Sequence, residues 1–244
     1  MRHPKLLFCA LLLFISSKSI SQISTFPYLE YFISTPNGWT TTTISGTAWE
    51  LGVPTAPGSF GSYSQPLCWG TDLDSGYRAN SFSYLTSPKF YVSSLIKPYF
   101  SFYQFRYMAS GLDGMHIEYS TDDIAWSLLG TYNFPFASNW YNTTSLFSTG
   151  QPAFTGSSTT WVQSSIDLSY LGTLDSIRFR FVFRSNINFG SAQPGIFIDD
   201  ISVQELPLHP LMQEFGELFH QNKLLIVMFL IPLHLTFPII QVLL

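Results

Sequence analysis

The chain has 244 residues, of which 46% are hydrophobic, 17% aromatic and only 11% charged. That composition can bury one large core, at a length where an all-β sandwich remains a single domain. A formal charge of −4, with 11 Lys plus Arg that form no cluster, supplies no basic field for a polyanion and excludes nucleic acid as a partner.

At the N-terminus Arg2 and Lys5 precede an apolar run from Leu6 to Ile15, and Ser19-Ile20-Ser21 places small residues at −3 and −1. This is the pattern of an export signal over residues 1–21, cleaved before Gln22. The run is too short for a bilayer core of about 30 Å at about 1.5 Å per residue. Cys9 lies inside it, which leaves Cys68 as the single cysteine of the mature chain, and no internal disulfide is expected.

Pro27 to Ile33 reads as an edge strand, and Pro36-Asn37-Gly38 turns it into the β-branched run Trp39 to Thr43 as a hairpin. Trp49 to Val53 is a short strand closed by Pro54 and Pro57, and Gly58 to Asn80, rich in Gly, Ser, Tyr, Asp and Asn, is a long surface loop. Ser83 to Phe90 is a strand with Pro88 near its end. Tyr99 to Tyr132 then reads as three consecutive antiparallel strands at the centre of the fold. In it Phe100 and Phe102 alternate with Ser101 and Tyr103, Met115, Ile117 and Tyr119 alternate with His116, Glu118 and Ser120, and Ser110 to Gly114 supplies two glycines for a positive-φ turn. Phe134 to Gly156 is a second long loop, and Thr160 to Asp167 is strand. From Ile177 to Arg184 the alternation is clearest: Ile177, Phe179, Phe181 and Phe183 mark a core face, while Arg178, Arg180, Val182 and Arg184 mark a face that is wet or lies over carbonyls. Ser185 to Gly195 is loop and Ile196 to Val203 closes the sheet. No helical period occurs between Gln22 and Glu205. The expected fold over residues 22–206 is all-β, a two-sheet antiparallel sandwich of jelly-roll type.

Residues 207–244 form an apolar tail. Lys223 to Leu244 is about 32 Å long if helical, enough to span a bilayer, yet Pro232 and Pro238 interrupt it, His234 and Gln241 are polar, and no basic cluster follows. Leu224 to Leu244 reads either as a membrane anchor or as a non-native extension.

The blocks Trp49-Glu50-Leu51-Gly52, Cys68-Trp69-Gly70-Thr71-Asp72-Leu73, Tyr84-Leu85-Thr86-Ser87-Pro88, Asp113 to Asp122, Trp126, Asn139-Trp140-Tyr141-Asn142 and Ile198-Asp199-Asp200-Ile201 occur in an order that resembles MAM-like jelly-roll domains of the choice-of-anchor J type, from secreted Bacteroidetes proteins. The resemblance covers about Tyr28 to Glu205. It implies a concanavalin-like sandwich acting as a non-catalytic accessory module of secreted or cell-surface proteins, often followed by a sorting domain. Family members usually carry a Phe-Glu pair in the first strand. Here Phe32-Ile33 stands in that place and leaves Glu30, and the sorting domain is replaced by the apolar tail.

Catalysis finds little footing in these residues. Only His116 of the five histidines lies in the mature β region, and neither H-E-x-x-H nor G-x-S-x-G is present. The carboxylate pairs Asp122-Asp123 and Asp199-Asp200 are strand neighbours that point to opposite faces. Metal binding is the stronger expectation. Alternation puts Asp199 on one face with Phe197, Ile201 and Val203, and Asp200 with Ile198 and Ser202, so one carboxylate lies along an apolar row and must be paired, metal-bound or bonded to loop amides. Glu30 on the first strand, Asp199, Asp200 and the loop residue Asp72 are the candidate ligands of a structural calcium. On Tyr99 to Tyr107 rings occur on both faces, and the second set, with Tyr99, Tyr103, Phe105 and Tyr107, is either a platform for sugar rings or a face covered by loops. Asn142-Thr143-Thr144 matches the N-glycosylation pattern, which is a chance hit if the source is bacterial. The expected function is a secreted or cell-surface binding or adhesion module for an extracellular glycan or surface protein. The alternative is an accessory domain of a truncated exported hydrolase.

Overall fold

The computed structural model of the protein describes residues 22–36, 38–187 and 193–206. Residues 1–21, read as an export signal, and 207–244, read as an apolar tail, therefore lie outside the described residues, within which no helix is long and apolar enough to cross a membrane. The strands in chain order are β1 (Gln22–Ile23), β2 (Tyr28–Glu30), β3 (Thr40–Ser45), β4 (Glu50–Gly52), β5 (Cys68–Gly70), β6 (Phe82–Thr86), β7 (Lys89–Phe90) and β8 (Pro98–Tyr107). They continue with β9 (Gly114–Ser120), β10 (Ser127–Leu128), β11 (Ala137–Ser138), β12 (Phe154–Thr155), β13 (Val162–Asp167), β14 (Arg178–Arg184) and β15 (Gly195–Glu205). A 3₁₀ turn, Leu168–Leu171, follows β13, capped by the Asp167 carboxylate, which accepts from the Ser169 amide at 2.8 Å.

Two antiparallel sheets result. One runs β10-β9-β14-β6-β3 with β12 also on β9, and the other runs β11-β13-β8-β15-β5-β4 with β2 also on β15. β1 and β7 form a separate parallel pair. The alternation on β14 is realised in full: Ile177, Phe179, Phe181 and Phe183 are all wholly buried. They meet the inward face of β8, where Phe100 stacks on Phe179 with centroids 4.2 Å apart and Phe102 meets Phe181 edge-on at 5.2 Å. Trp39, Trp49, Trp140, Met115 and Ile117 complete this core. Burying each such side chain contributes roughly 1.5–3 kcal/mol, so the sandwich holds without a disulfide, and Cys68 is free and buried.

Several expectations are corrected by the pairing. β8 and β9 are not a hairpin: β8 belongs to one sheet and β9 to the other, so the Ser110–Asp113 connection crosses the sandwich, and only β9 and β10 pair as read. The same is true of β2 and β3. Each of these strands offers one apolar face, and that face is satisfied across the core as well as beside a neighbour. Of the two glycines in the β8–β9 turn only Gly111 has positive φ (+72°). Gly114 is instead a close-approach glycine, because a Cβ there would sit 2.4 Å from the Phe154 carbonyl oxygen. β5 lies within what reads as continuous loop.

The last strand also departs from simple alternation. Asp200 has φ +44°, and the register of β15 against β8 shifts between Asp199 and Ser202. Before this bulge Ile196 and Ile198 face the main core while Phe197 packs in a second cluster with Cys68, Leu73 and Phe105; after it Ile201 and Val203 face the main core. Asp199 therefore shares a face with Phe197 but not with Ile201 and Val203, because a bulge resets which side the chain presents. The bulge also falls where the neighbour of β15 changes from β5 to β2.

Candidate functional site

The outer face of the sheet holding β9, β14 and β6 is set by register. Val182 lies opposite His116 on β9 and Tyr84 on β6; Arg184 lies opposite Gly114 and Phe82; Arg180 lies opposite Glu118 and Thr86. Directly opposed residues share a face. Since Phe181 and Phe183 point into the core, these side chains all point out, in three adjacent rows. The arginine face is thus neither simply wet nor laid over carbonyls. The Arg180 guanidinium packs over the rings of Tyr84 at 4.4 Å and Trp126 at 4.3 Å, and that of Arg184 packs over Phe82 at 3.2 Å.

Ion pairing links the rows. Arg180 donates from Nε and Nη2 to one carboxylate oxygen of Glu118, and the other oxygen is 3.2 Å from His116 Nε2. Burial pushes the Glu118 carboxyl up, but the hydrogen bond from His116 and the charge and hydrogen bond of Arg180 outweigh it, so its pKa lies below the ordinary value. Burial lowers the pKa of Arg184, against smaller opposing effects of Tyr84 and Glu118. No ion pair among the described residues involves Arg184.

Beside these groups lies a cavity of about 260 Å³ walled by Phe82, Tyr84, His116, Glu118, Arg184 and the 148–151 turn. Two of its polar groups are left over: His116 Nδ1 and Ser148 Oγ are both buried and have no hydrogen-bond partner among the described residues. The His116 side chain is only 7% exposed. Buried polar atoms of native proteins are usually hydrogen-bonded, so orphaned ones call for a partner that water or a ligand can supply. Two of them together in one aromatic-walled cavity mark this face as the candidate site.

The opposite outer face is covered in part. The loop between β4 and β5 lies over β8, with Phe60 against Phe105 at 5.1 Å and Tyr63 stacked on Tyr103 at 3.7 Å. Of the second ring set on β8, Phe105 is buried and Tyr103 and Tyr99 are half-buried, while Tyr107 stays exposed, as do Phe60 and Tyr63 of the covering loop.

This loop also occupies the carboxylates expected to hold an ion. Asp199, wholly buried, accepts from the Ser64 amide at 2.9 Å and from the Asp200 amide at 2.8 Å, and the Ser64 hydroxyl donates to Asp200. Burial, opposed by those amides and reinforced by the Asp200 charge, pushes the Asp199 carboxyl up to about 7. Glu30 lies on β2, the strand read as first in the sequence, opposite Ile201 of the last strand, and it accepts from the Phe32 amide at 2.9 Å. Asp72 closes a local turn by accepting from the Ser75 amide at 2.7 Å. Among the described residues no three His, Cys, Asp or Glu side chains gather as a metal-binding group. N–H and O–H donors of the loop thus take up these carboxylates, and calcium would need six or more oxygens in their place. Asn142, in the glycosylation pattern, bonds Thr155 through both ends of its amide.

Sequence reading noted the arginine row but missed Phe82, Tyr84 and Ser148. The signal for the rings was present in the alternation of Phe82 and Tyr84 with Ser83 and Leu85; no signal marked Ser148.

No protein-family model matches the chain and no curated protein matches it, so the choice-of-anchor J resemblance rests on its residue blocks. Among solved structures, the K1 cleaved adhesin domain of Lys-gingipain from Porphyromonas gingivalis W83 is similar at 14% identity and TM-score 0.42, over 75% of this chain and 100% of that one. TmCBM61 in complex with β-1,4-galactotriose is similar at 11% identity and TM-score 0.39, over 69% of this chain and 88% of that one. The Spr0440 glycoside hydrolase domain, Endo-D, from Streptococcus pneumoniae R6 is similar at 14% identity and TM-score 0.39, over 70% of this chain and 22% of that one.

Proposed function

We propose that the domain is a non-catalytic binding module of an exported or surface-displayed protein, and that the β6–β14–β9 face takes a sugar unit of an extracellular glycan. The observation that carries this reading is the pair of buried, unpartnered polar atoms, His116 Nδ1 and Ser148 Oγ, in a cavity flanked by the rings of Phe82 and Tyr84. A pyranose presents both an apolar face for a ring and hydroxyls for a fixed donor and acceptor. The cavity is smaller than the roughly 300–1,000 Å³ of a drug-sized ligand's pocket, so it takes one ring-sized unit of a longer chain. Export is supported by Arg2, Lys5 and the apolar run Leu6 to Ile15.

The same cavity argues against turnover. Ser148 Oγ and His116 Nδ1 share it without hydrogen-bonding each other, and a serine nucleophile needs its base within hydrogen-bond reach. Glu118 has its pKa lowered by His116 and Arg180, which disfavours it as a proton donor.

Screening the full chain on a glycan array, then titrating a hit calorimetrically against Tyr84→Ala and Ser148→Ala, tests the proposal. Binding by the wild type, weakened about tenfold or more in Tyr84→Ala (~1.4 kcal/mol) with no reducing ends released, is the expected result. Absence of any glycan bound, or affinity unmoved by both substitutions, would overturn it.

A further inference from the structure

We infer that the sugar unit taken by this face carries a carboxylate, which Arg184 receives. The inference rests on the glycan proposal above and specifies its ligand.

A charge balance over the outer face of β6, β9 and β14 motivates it. Arg180 and Glu118 neutralise each other, and the second oxygen of Glu118 is taken by His116 Nε2. Lys89 and Arg178 are both paired with Asp123 at the other end of the face. Arg184 is the cation left over: it lines the cavity, and no carboxylate pairs with it among the described residues. It is also held in place, with its guanidinium stacked on Phe82 at 3.2 Å. Stacking leaves the edge of the fork, where the N–H groups lie, as the part able to bond, and the fork matches a planar carboxylate with two parallel hydrogen bonds. Burial lowers its pKa, which is the sign of a cation missing its water and lacking a full replacement.

A second, independent observation points the same way. His116 Nδ1, on a side chain 7% exposed, and Ser148 Oγ are unpartnered on the walls of the same cavity. A sugar whose carboxylate sits on Arg184 would lie in the cavity that these two residues line. The Arg fork also takes phosphate or sulfate, but sites for those tetrahedral groups commonly add further donors from a helix N-terminus or a nest of amides. Here one flat fork beside aromatic rings favours the planar acid. The chain as a whole carries −4, so this is a local recognition of one acidic group, not a basic surface for a polyanion.

The test is calorimetric titration of the full chain with two acidic oligosaccharides, a galacturonate trimer and a sialic-acid-terminated trisaccharide. Each is paired with its carboxyl-reduced neutral counterpart and with a sulfated neutral one. At least one acid should bind ten times or more tightly than both counterparts, and the one that does identifies the source of the carboxylate. Arg184→Gln should abolish the preference for the acid over its neutral counterpart, and Arg184→Lys should retain part of it. Equal binding of acid and neutral forms by the wild type would overturn the inference and leave the glycan proposal standing, and this comparison needs no variant to fold. Preference for the sulfated form would overturn the choice of carboxylate. Binding of no sugar at all would overturn both.

Discussion

Asp199 should make the stability of this domain fall as pH rises through neutrality, opposite to the effect of an ion-paired carboxylate. In the fold its pKa is about 7, against an ordinary value of 3.8. Between those two values the folded chain holds a proton that the unfolded chain has lost, so stability is fully present below about pH 4 and declines until about pH 7. Each unit is about 1.36 kcal/mol, which sets a ceiling of about 4 kcal/mol over the window and about 2.7 kcal/mol from pH 5 upward. Half-exposed Ser64, the partner of Asp199, admits water that screens the charge, so about half of that, ~1.4 kcal/mol, is expected. For a domain of this size that is a fall in Tm of about 3–6 °C between pH 5 and pH 8. Glu118 and Asp122, whose pKa values are lowered, contribute stability that is lost only on acidification below the ordinary carboxylate range, so both stay ionised in this window. Thermal melts of the wild type and Asp199→Asn at half-unit steps from pH 5 to 8.5 measure the effect. A constant offset between the curves reflects the altered hydrogen bonds, and their difference in slope reads the linkage. Parallel curves, or a wild-type Tm that rises with pH relative to the variant, would refute the reasoning.

Phe181, wholly buried and meeting Phe102, Trp39 and Trp49, should cost about 3–5 kcal/mol on truncation to Ala. Chemical denaturation checks this, and a loss under about 1 kcal/mol would contradict the core assignment. Because Ser64 and backbone amides meet Asp199 and Asp200 where an ion was expected from sequence, adding a chelator should leave the melting curve unchanged. A drop of several degrees that calcium restores would show that an ion binds after all.

The sequence by itself determined the fold class and the interior. β14 and the start of β8 write their burial as a period of two, because a strand with one dry face and one wetter face must alternate, and Phe100, Phe102, Phe179, Phe181 and Phe183 fell into the core as that rule demands. The neighbouring of β2, the strand read as first, and the last strand was also legible through the jelly-roll pattern. Which sheet each strand joined was not. β8 and β9 carry the same alternation whether they pair or face each other across the core, and only long-range packing chose the second. β5, three residues long, is too short to show a period, and the bulge at Asp200 reversed the faces after it without any change in the pattern of residue types. The candidate site lay furthest from view. Phe82, Tyr84, His116, Glu118, Ser148, Arg180 and Arg184 come from three strands and a turn distant in the chain, and what makes them a site is the pairing register that sets Arg184 beside Phe82 and Glu118 beside Arg180. Register is fixed by the burial of the opposite face, so it is a property of the packed sandwich and not of any one segment.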